Sequence, residues 1–176
     1  EVERRVAAFQ SSFPRSKLRI HYAMKANAHP PLLKRLANLG LGVDIVSAGE
    51  LRLAMACGFL AERVIFSGVA KSSREIAFAL DQNIRQINVE SPGELERIAK
   101  IAKEKKLRAN IALRINPDVD PQTHPYITTG FRENKFGMDA SFLPELEQIL
   151  IANREQLNLV GLTIHIGSQL LEIDCI

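Results

Sequence analysis

Short apolar runs and helical periodicities alternate along the whole chain. Runs at 19–26 (RIHYAMKA), 42–47 (GVDIVS), 63–68 (RVIFSG), 86–91 (QINVES), 108–116 (RANIALRIN) and 159–167 (LVGLTIHIG) have the length and residue types of strands. They are near-continuous rather than alternating, as strands of a parallel sheet covered on both faces are. Helical patterns at 30–39, 49–57, 72–82, 92–105 and 141–156 fill the gaps, and a further helix is expected over 2–11. Within 92–105, Leu95, Ile98, Ala99 and Ala102 fall on one face, with glutamates and lysines on the rest. Ser followed by Glu three residues later marks three helix starts: Ser47/Glu50, Ser72/Glu75 and Ser91/Glu94. This is the capping-box pattern, although Gly49 and Gly93 lower helix propensity inside two of them.

The repeated β-α unit predicts an α/β fold with a parallel sheet, either doubly wound or closed as a barrel. In both architectures functional groups collect at the carboxyl ends of strands. Here those ends hold Lys25-Ala26-Asn27, Asp44 to Ser47, Ser67-Gly68, Asn88 to Ser91, Arg114 to Pro117, and His165 to Gln169. Polar or ionisable groups at six successive ends predict a shared pocket. The connection over 117–138 is long, with Pro117, Pro121 and Pro125 and little periodicity, as functional or disordered loops are. No linker or low-complexity tract divides the chain, so one domain is expected over 1–176.

Composition narrows the function classes. The 176 residues are 46% hydrophobic and 24% charged, ordinary for a globular protein with a sizeable core. The net charge of +3 is mild, and the densest basic group, KIAKEKK at 100–106, is interrupted by Glu104. It reads as a solvated helix face, so no nucleic-acid partner is expected. No apolar stretch approaches membrane-span length, and the N-terminal segment is not a secretory signal. Cys57 and Cys175, far apart, suggest neither a zinc site nor a disulfide framework, and imply reduced thiols in a cytoplasmic protein.

Two strand-end residues carry the candidate chemistry. Lys25 is the only cation among Tyr22, Ala23, Met24, Ala26 and Ala28. Either its stem snorkels to the surface, or desolvation leaves a neutral amine able to attack a carbonyl. His165, in LTIHIG, is either a satisfied core histidine or a platform for a ring. Ser168 and the backbone of Gly167 suit a phosphate. Arg114, on a buried-looking strand, needs an acceptor, with Asp44 and Glu90 as candidate partners. GxGxxG and phosphate-loop lysine motifs are absent. Asp118, Asp120 and His124 match no metal spacing and read as turn formers, so no metal is expected.

These residues carry a family resemblance. YAMKAN resembles the cofactor-lysine motif of the fold-type III pyridoxal-phosphate decarboxylases, the alanine-racemase-like barrels. DIVSAGEL, LRINPDVD, HPYITTGFRENKFGM and HIGSQL are similar to the diaminopimelate decarboxylase family, collinearly from about residue 18 to 171. The resemblance implies a TIM-like (β/α)8 barrel, here about six β-α units, binding pyridoxal 5′-phosphate. It implies Lys25 as the Schiff-base lysine, His165 stacked on the ring, Ser168 on the phosphate, and Asp44 and Arg114 lining the pocket. Lys25 and His165 are then the catalytic residues. The implied reaction is decarboxylation of meso-diaminopimelate to L-lysine and CO2, with a small amino acid as substrate and a homodimer as the full-length form. Another basic amino-acid or polyamine-precursor decarboxylase, and a non-catalytic pyridoxal-phosphate barrel, remain as alternatives. The family's glycine-rich phosphate loop, its acidic partner for the pyridine nitrogen and its C-terminal β-domain have no counterpart in the sequence. The chain is therefore expected to be a fragment of such an enzyme, inactive by itself.

Overall fold

The protein is seen in a computed structural model that describes residues 1–13, 18–117 and 136–165. Helix α1 (Val2–Ser12) precedes five β-α units and a sixth strand, beginning with β1 (His21–Ala23), α2 (Pro30–Asn38), β2 (Gly42–Ile45), α3 (Ala48–Ala56), β3 (Val64–Phe66) and α4 (Ser73–Asp81). β4 (Gln86–Val89), α5 (Pro92–Lys105), β5 (Ala109–Arg114), α6 (Leu143–Ala152) and β6 (Leu157–Thr163) follow. All six strands form one sheet in the order β1-β2-β3-β4-β5-β6, and every neighbouring pair is parallel.

That order chooses between the two predicted architectures. A doubly wound sheet reverses direction at a switch point, whereas a barrel adds each new strand beside the last. Here every crossover steps one strand in the same direction, so the sheet is a six-strand arc of a (β/α)8-type barrel, with β1 and β6 as its edges among the described residues.

Alternate residues on each strand face opposite ways. Val43, Ile45, Val64, Phe66, Ile87, Val89, Ile111 and Leu113 form one face, each at most 3% exposed. They pack with Leu33, Leu36, Leu51, Ile76, Leu95, Ile98 and Leu146 of the helices as one core. The alternating set holds Asp44, Ser67, Gln86, Asn88, Asn110 and Arg114, with Ile65 and Ala112 among them. The strands are thus apolar on one face only, because the concave side of the arc carries the polar groups. On α5, Leu95, Ile98, Ala99, Ile101 and Ala102 are buried, and Lys100, Lys103 and Lys106 are exposed, as a solvated basic face requires. Cys57 is buried and free, and Cys175 lies outside the described residues. Among the described residues no helix is long and apolar enough to cross a membrane.

Two boundaries differ from the sequence pattern. β1 stops at Ala23, and Met24–Ala26 form a 3-10 turn in which Met24 is fully buried. The helix expected to reach 156 stops at Ala152, where Asn153 Nδ2 donates to the Ile149 carbonyl at 2.9 Å. β6 consequently starts two residues before the predicted 159. It leaves Leu159, Val160, Leu162 and Ile164 between 45% and 66% exposed, and a register shift opposite Ile111/Ala112 interrupts its alternation.

Candidate functional site at the strand ends

Three helix starts shape the mouth of the arc. Ser47, Ser72 and Ser91 each accept the backbone N–H of the glutamate three residues on, at 3.2–3.3 Å. Each bond satisfies one of the N–H groups that a helix start leaves without an intrahelical partner. Only Ser72/Glu75 is a reciprocal capping box. Glu50 and Glu94 reach one residue further back, accepting from Val46 N (2.7 Å) and Glu90 N (2.9 Å). This brings the strand ends under side-chain control.

Asp44, Ser67, Asn88 and Gln86 form a string across β2, β3 and β4. Ser67 Oγ donates to Asp44 Oδ1 and accepts from Asn88 Nδ2 at 2.9 Å, and Asn88 Oδ1 accepts from Gln86 Nε2 at 2.9 Å. Burial pushes the Asp44 carboxyl above its ordinary value, opposed by the Ser67 hydroxyl and then the Lys25 charge. Glu50 adds to the rise, and Arg114 opposes it.

Arg114 selects Glu90, not Asp44, as its partner. Its Nη1 donates to Glu90 Oε1 at 2.8 Å, with side chains 13% and 5% exposed. Among the described residues Glu90 Oε2 has no hydrogen-bond partner. The guanidinium lies 5.6 Å from the Phe136 ring centroid. The end of the long connection returns here: Met138 N donates to the Arg114 carbonyl and Asn116 N to the Met138 carbonyl, both at 2.8 Å. Gly137 sits between them at φ +99°, where a Cβ would lie 3.2 Å from the Arg114 carbonyl oxygen. Glycine accepts that left-handed backbone without strain.

Lys25 and His165 are both exposed. The sequence raised a desolvated amine at Lys25; the 3-10 turn instead buries Met24 and turns Lys25 outward. His165 is not a core histidine. Partial desolvation holds its imidazole below the ordinary value, the Arg114 and Lys25 charges add to this, and Asp44 opposes. The Lys25 and Arg114 charges thus reach both Asp44 and His165 at one end of the sheet. Ser168 and Gly167 lie outside the described residues, as do Asp118, Asp120 and His124.

The buried lysine is a different one. Lys71, in the loop after β3, is 3% exposed. Its Nζ donates to the carbonyls of Gly68 (2.5 Å) and Asn88 (2.7 Å) and to both Glu94 oxygens (3.2 Å). Burial pulls this ammonium below its ordinary value, and Glu94 opposes the shift. Nothing local in GVAKSS marks Lys71 as buried, since the acceptors come from β4 and α5. Ser67 and Asn88 stood at predicted strand ends, but only their pairing across strands makes them one string.

A parallel β-α arc in which each strand is laid beside the last belongs to the barrel class of α/β folds. The particular family follows from comparison. Residues 1–176 match the family model described as pyridoxal-dependent decarboxylase, pyridoxal binding domain, and the chain belongs to that family. It is 45% identical to a diaminopimelate decarboxylase of Aquifex aeolicus over 172 residues, 98% of this chain and 40% of that protein. A diaminopimelate decarboxylase structure from Helicobacter pylori, complexed with L-lysine, superposes with a TM-score of 0.91 at 41% identity, covering 98% of this chain and 44% of that one. The arginine decarboxylase of Paramecium bursaria Chlorella virus bound to agmatine superposes at 0.82 with 25% identity, covering 99% and 43%. The chain thus spans about two fifths of the length of the curated relatives it matches.

Proposed function

We propose that residues 1–176 form the pyridoxal-phosphate-binding barrel domain of a cytoplasmic, homodimeric enzyme that decarboxylates meso-diaminopimelate to L-lysine and CO2. The observation that carries this reading is the exposed primary amine of Lys25, sharing one mouth with Asp44, Arg114 and His165. An aldehyde cofactor needs an amine that is accessible on a fixed backbone. Lys25 meets both needs, because fully buried Met24 pins the turn that presents it. When bound, pyridoxal phosphate accepts the electron pair left by the departing carboxyl group.

The chain's own residues supply attachment and field. Lys25 would hold the cofactor through its exposed amine. His165, whose imidazole partial desolvation and the Arg114 and Lys25 charges hold below its ordinary value, offers a flat face to an aromatic ring. Arg114 keeps a fixed cation at the mouth for an anionic group, its geometry set by Glu90. Asp44, half-buried beside Ser67, opposes the cationic field around His165. Ser168, outside the described residues, is assigned to the phosphate by sequence alone.

Borohydride reduction of the chain with pyridoxal phosphate, followed by peptide mass spectrometry, tests the attachment. The adduct is expected on Lys25; an adduct confined to other lysines refutes it. Carbon dioxide release by the whole enzyme, compared across meso-diaminopimelate, arginine, ornithine and lysine, tests the substrate. The higher identity to diaminopimelate decarboxylases than to the arginine enzyme supports the first of these.

A further inference from the structure

We infer that the buried Lys71–Glu94 pair positions Arg114 at the mouth of the arc by way of Glu90. The connection is continuous. Glu94 Oε2 lies 3.2 Å from Lys71 Nζ and accepts the Glu90 backbone N–H at 2.9 Å. Glu90 Oε1 then takes Arg114 Nη1 at 2.8 Å.

Lys71 has no capacity left for a ligand. Its three protons meet the Gly68 carbonyl, the Asn88 carbonyl and the Glu94 carboxylate, joining the loop after β3 to β4 and α5. A buried ion pair of this kind is weak evidence of a stability role, because well-packed apolar residues often serve as well or better. What the pair adds is a fixed acceptor for Glu90 N–H. Glu90 needs one: among the described residues its second oxygen has no partner, and the bonds seen to hold it are one from its side chain and one from its backbone N–H.

The equivalent turn after β2 makes the contrast. Glu50 Oε2 accepts Val46 N–H at 2.7 Å. Val46 is apolar and 40% exposed, so its side chain cannot hold a charged partner as Glu90 does. The ion pair is found where the residue held carries Arg114, and at the β2 turn none is seen among the described residues.

For cofactor uptake this inference rests on the pyridoxal-phosphate reading; for geometry it does not. The test therefore has two readouts on the full chain: NMR titration of His165, which feels Arg114, Lys25 and Asp44, and binding of pyridoxal 5′-phosphate. Lys71→Met/Glu94→Leu removes the acceptor for Glu90 N–H without leaving a lone buried charge. Glu94→Asp keeps the charge beside Lys71 but withdraws the acceptor by one methylene, so it still reads if the first variant does not fold. Lys71→Met/Glu94→Gln removes the ion pair and keeps an acceptor. In the first two, Arg114 moves out into solvent and His165 is expected to titrate higher, by about half a pH unit, a roughly threefold change in proton affinity. Pyridoxal-phosphate affinity is expected to fall about tenfold, as when a group supporting a ligand contact is lost. The Gln variant keeps an acceptor but loses the lysine that fixes it, so in both readouts it is expected to change in the same direction as the Leu variant and by clearly less. An unmoved His165 in a folded Leu or Asp variant overturns the inference, as does a shift in the Gln variant equal to that of the Leu variant. If wild type takes up no pyridoxal phosphate, the cofactor reading fails, and the His165 titration still decides the positioning role.

Discussion

Residues 44–51, DIVSAGEL, and 88–95, NVESPGEL, are two versions of one strand-turn-helix junction. Both cap a helix with serine and send the glutamate back to the residue before it. The local chemistry is the same, yet the two glutamates have different surroundings. The Glu94 side chain is 2% exposed and meets Lys71, whereas Glu50 stays half-buried and no lysine pairs with it among the described residues. One further difference is local. The α3 start has Ala48, whose N–H needs an acceptor and finds Glu75 Oε1 at 3.1 Å. The α5 start has Pro92, which has no N–H to satisfy. A shared motif thus fixes the cap, while neighbours brought in by the sheet decide what the glutamate does next.

The largest expected break in this symmetry is Lys71→Met alone. It leaves Glu94 charged, buried and without its main cation, and should cost about 3–5 kcal/mol. Glu50→Gln, the matching change at the other junction, should cost under about 1 kcal/mol. Urea midpoints of the two variants measure the difference; equal losses would mean that the buried pair has no special weight.

Serine removal should restore the likeness. Ser47→Ala and Ser91→Ala each lose one cap bond and are each expected to cost about 1 kcal/mol by the same denaturation. A clear inequality would show that the caps, and not only the glutamates, depend on their surroundings.

Ala48→Pro converts the α3 start to the α5 form, and a smaller effect, within about 0.5 kcal/mol at neutral pH, is expected because proline suits the first helical position. Its signature is in acid. The Ser72 and Ala48 N–H groups hold the Glu75 carboxyl below its ordinary value. The folded state thus releases the Glu75 proton more readily than the unfolded chain. The resulting stability is present above the ordinary glutamate value and is lost as pH falls through the depressed one. Without the Ala48 N–H, Glu75 should titrate closer to its ordinary value, and the acid loss should shrink. Thermal midpoints across the acid range check this.

The smallest effect is expected from Asp44→Asn, which gives the β2 junction the residue that β4 already has. Asp44 alone among the groups acting on His165 raises its proton affinity. Its removal should lower the His165 titration point, read by NMR. Stability should hold or rise at neutral pH. Burial raises the Asp44 carboxyl, so the folded state keeps that proton longer and stability falls as pH rises from the ordinary aspartate value through the raised one. The amide removes that loss.

Much of the fold was legible in the sequence, because helix starts and buried strands are specified by near neighbours. Ser-x-x-Glu marked three caps, apolar runs marked six strands, and the parallel reading placed polar groups at their carboxyl ends. Lys25, Asp44, Arg114 and His165 stood at predicted strand ends, and the structure brings the Lys25, Asp44 and Arg114 charges within reach of the His165 imidazole. What the sequence could not contain were choices among distant partners. Strand order, and with it the barrel arc in place of a doubly wound sheet, depends on which strands pair. Arg114 takes Glu90 rather than Asp44 because β5 lies beside β4 and three strands from β2. Lys25, in an apolar stretch, is exposed because a 3-10 turn ends β1, and Lys71, in an unremarkable one, is buried because two carbonyls and a carboxylate from three elements converge on it. Periodicity and capping act over a few residues and are written in order along the chain; burial of a charge depends on groups that only the folded sheet brings together.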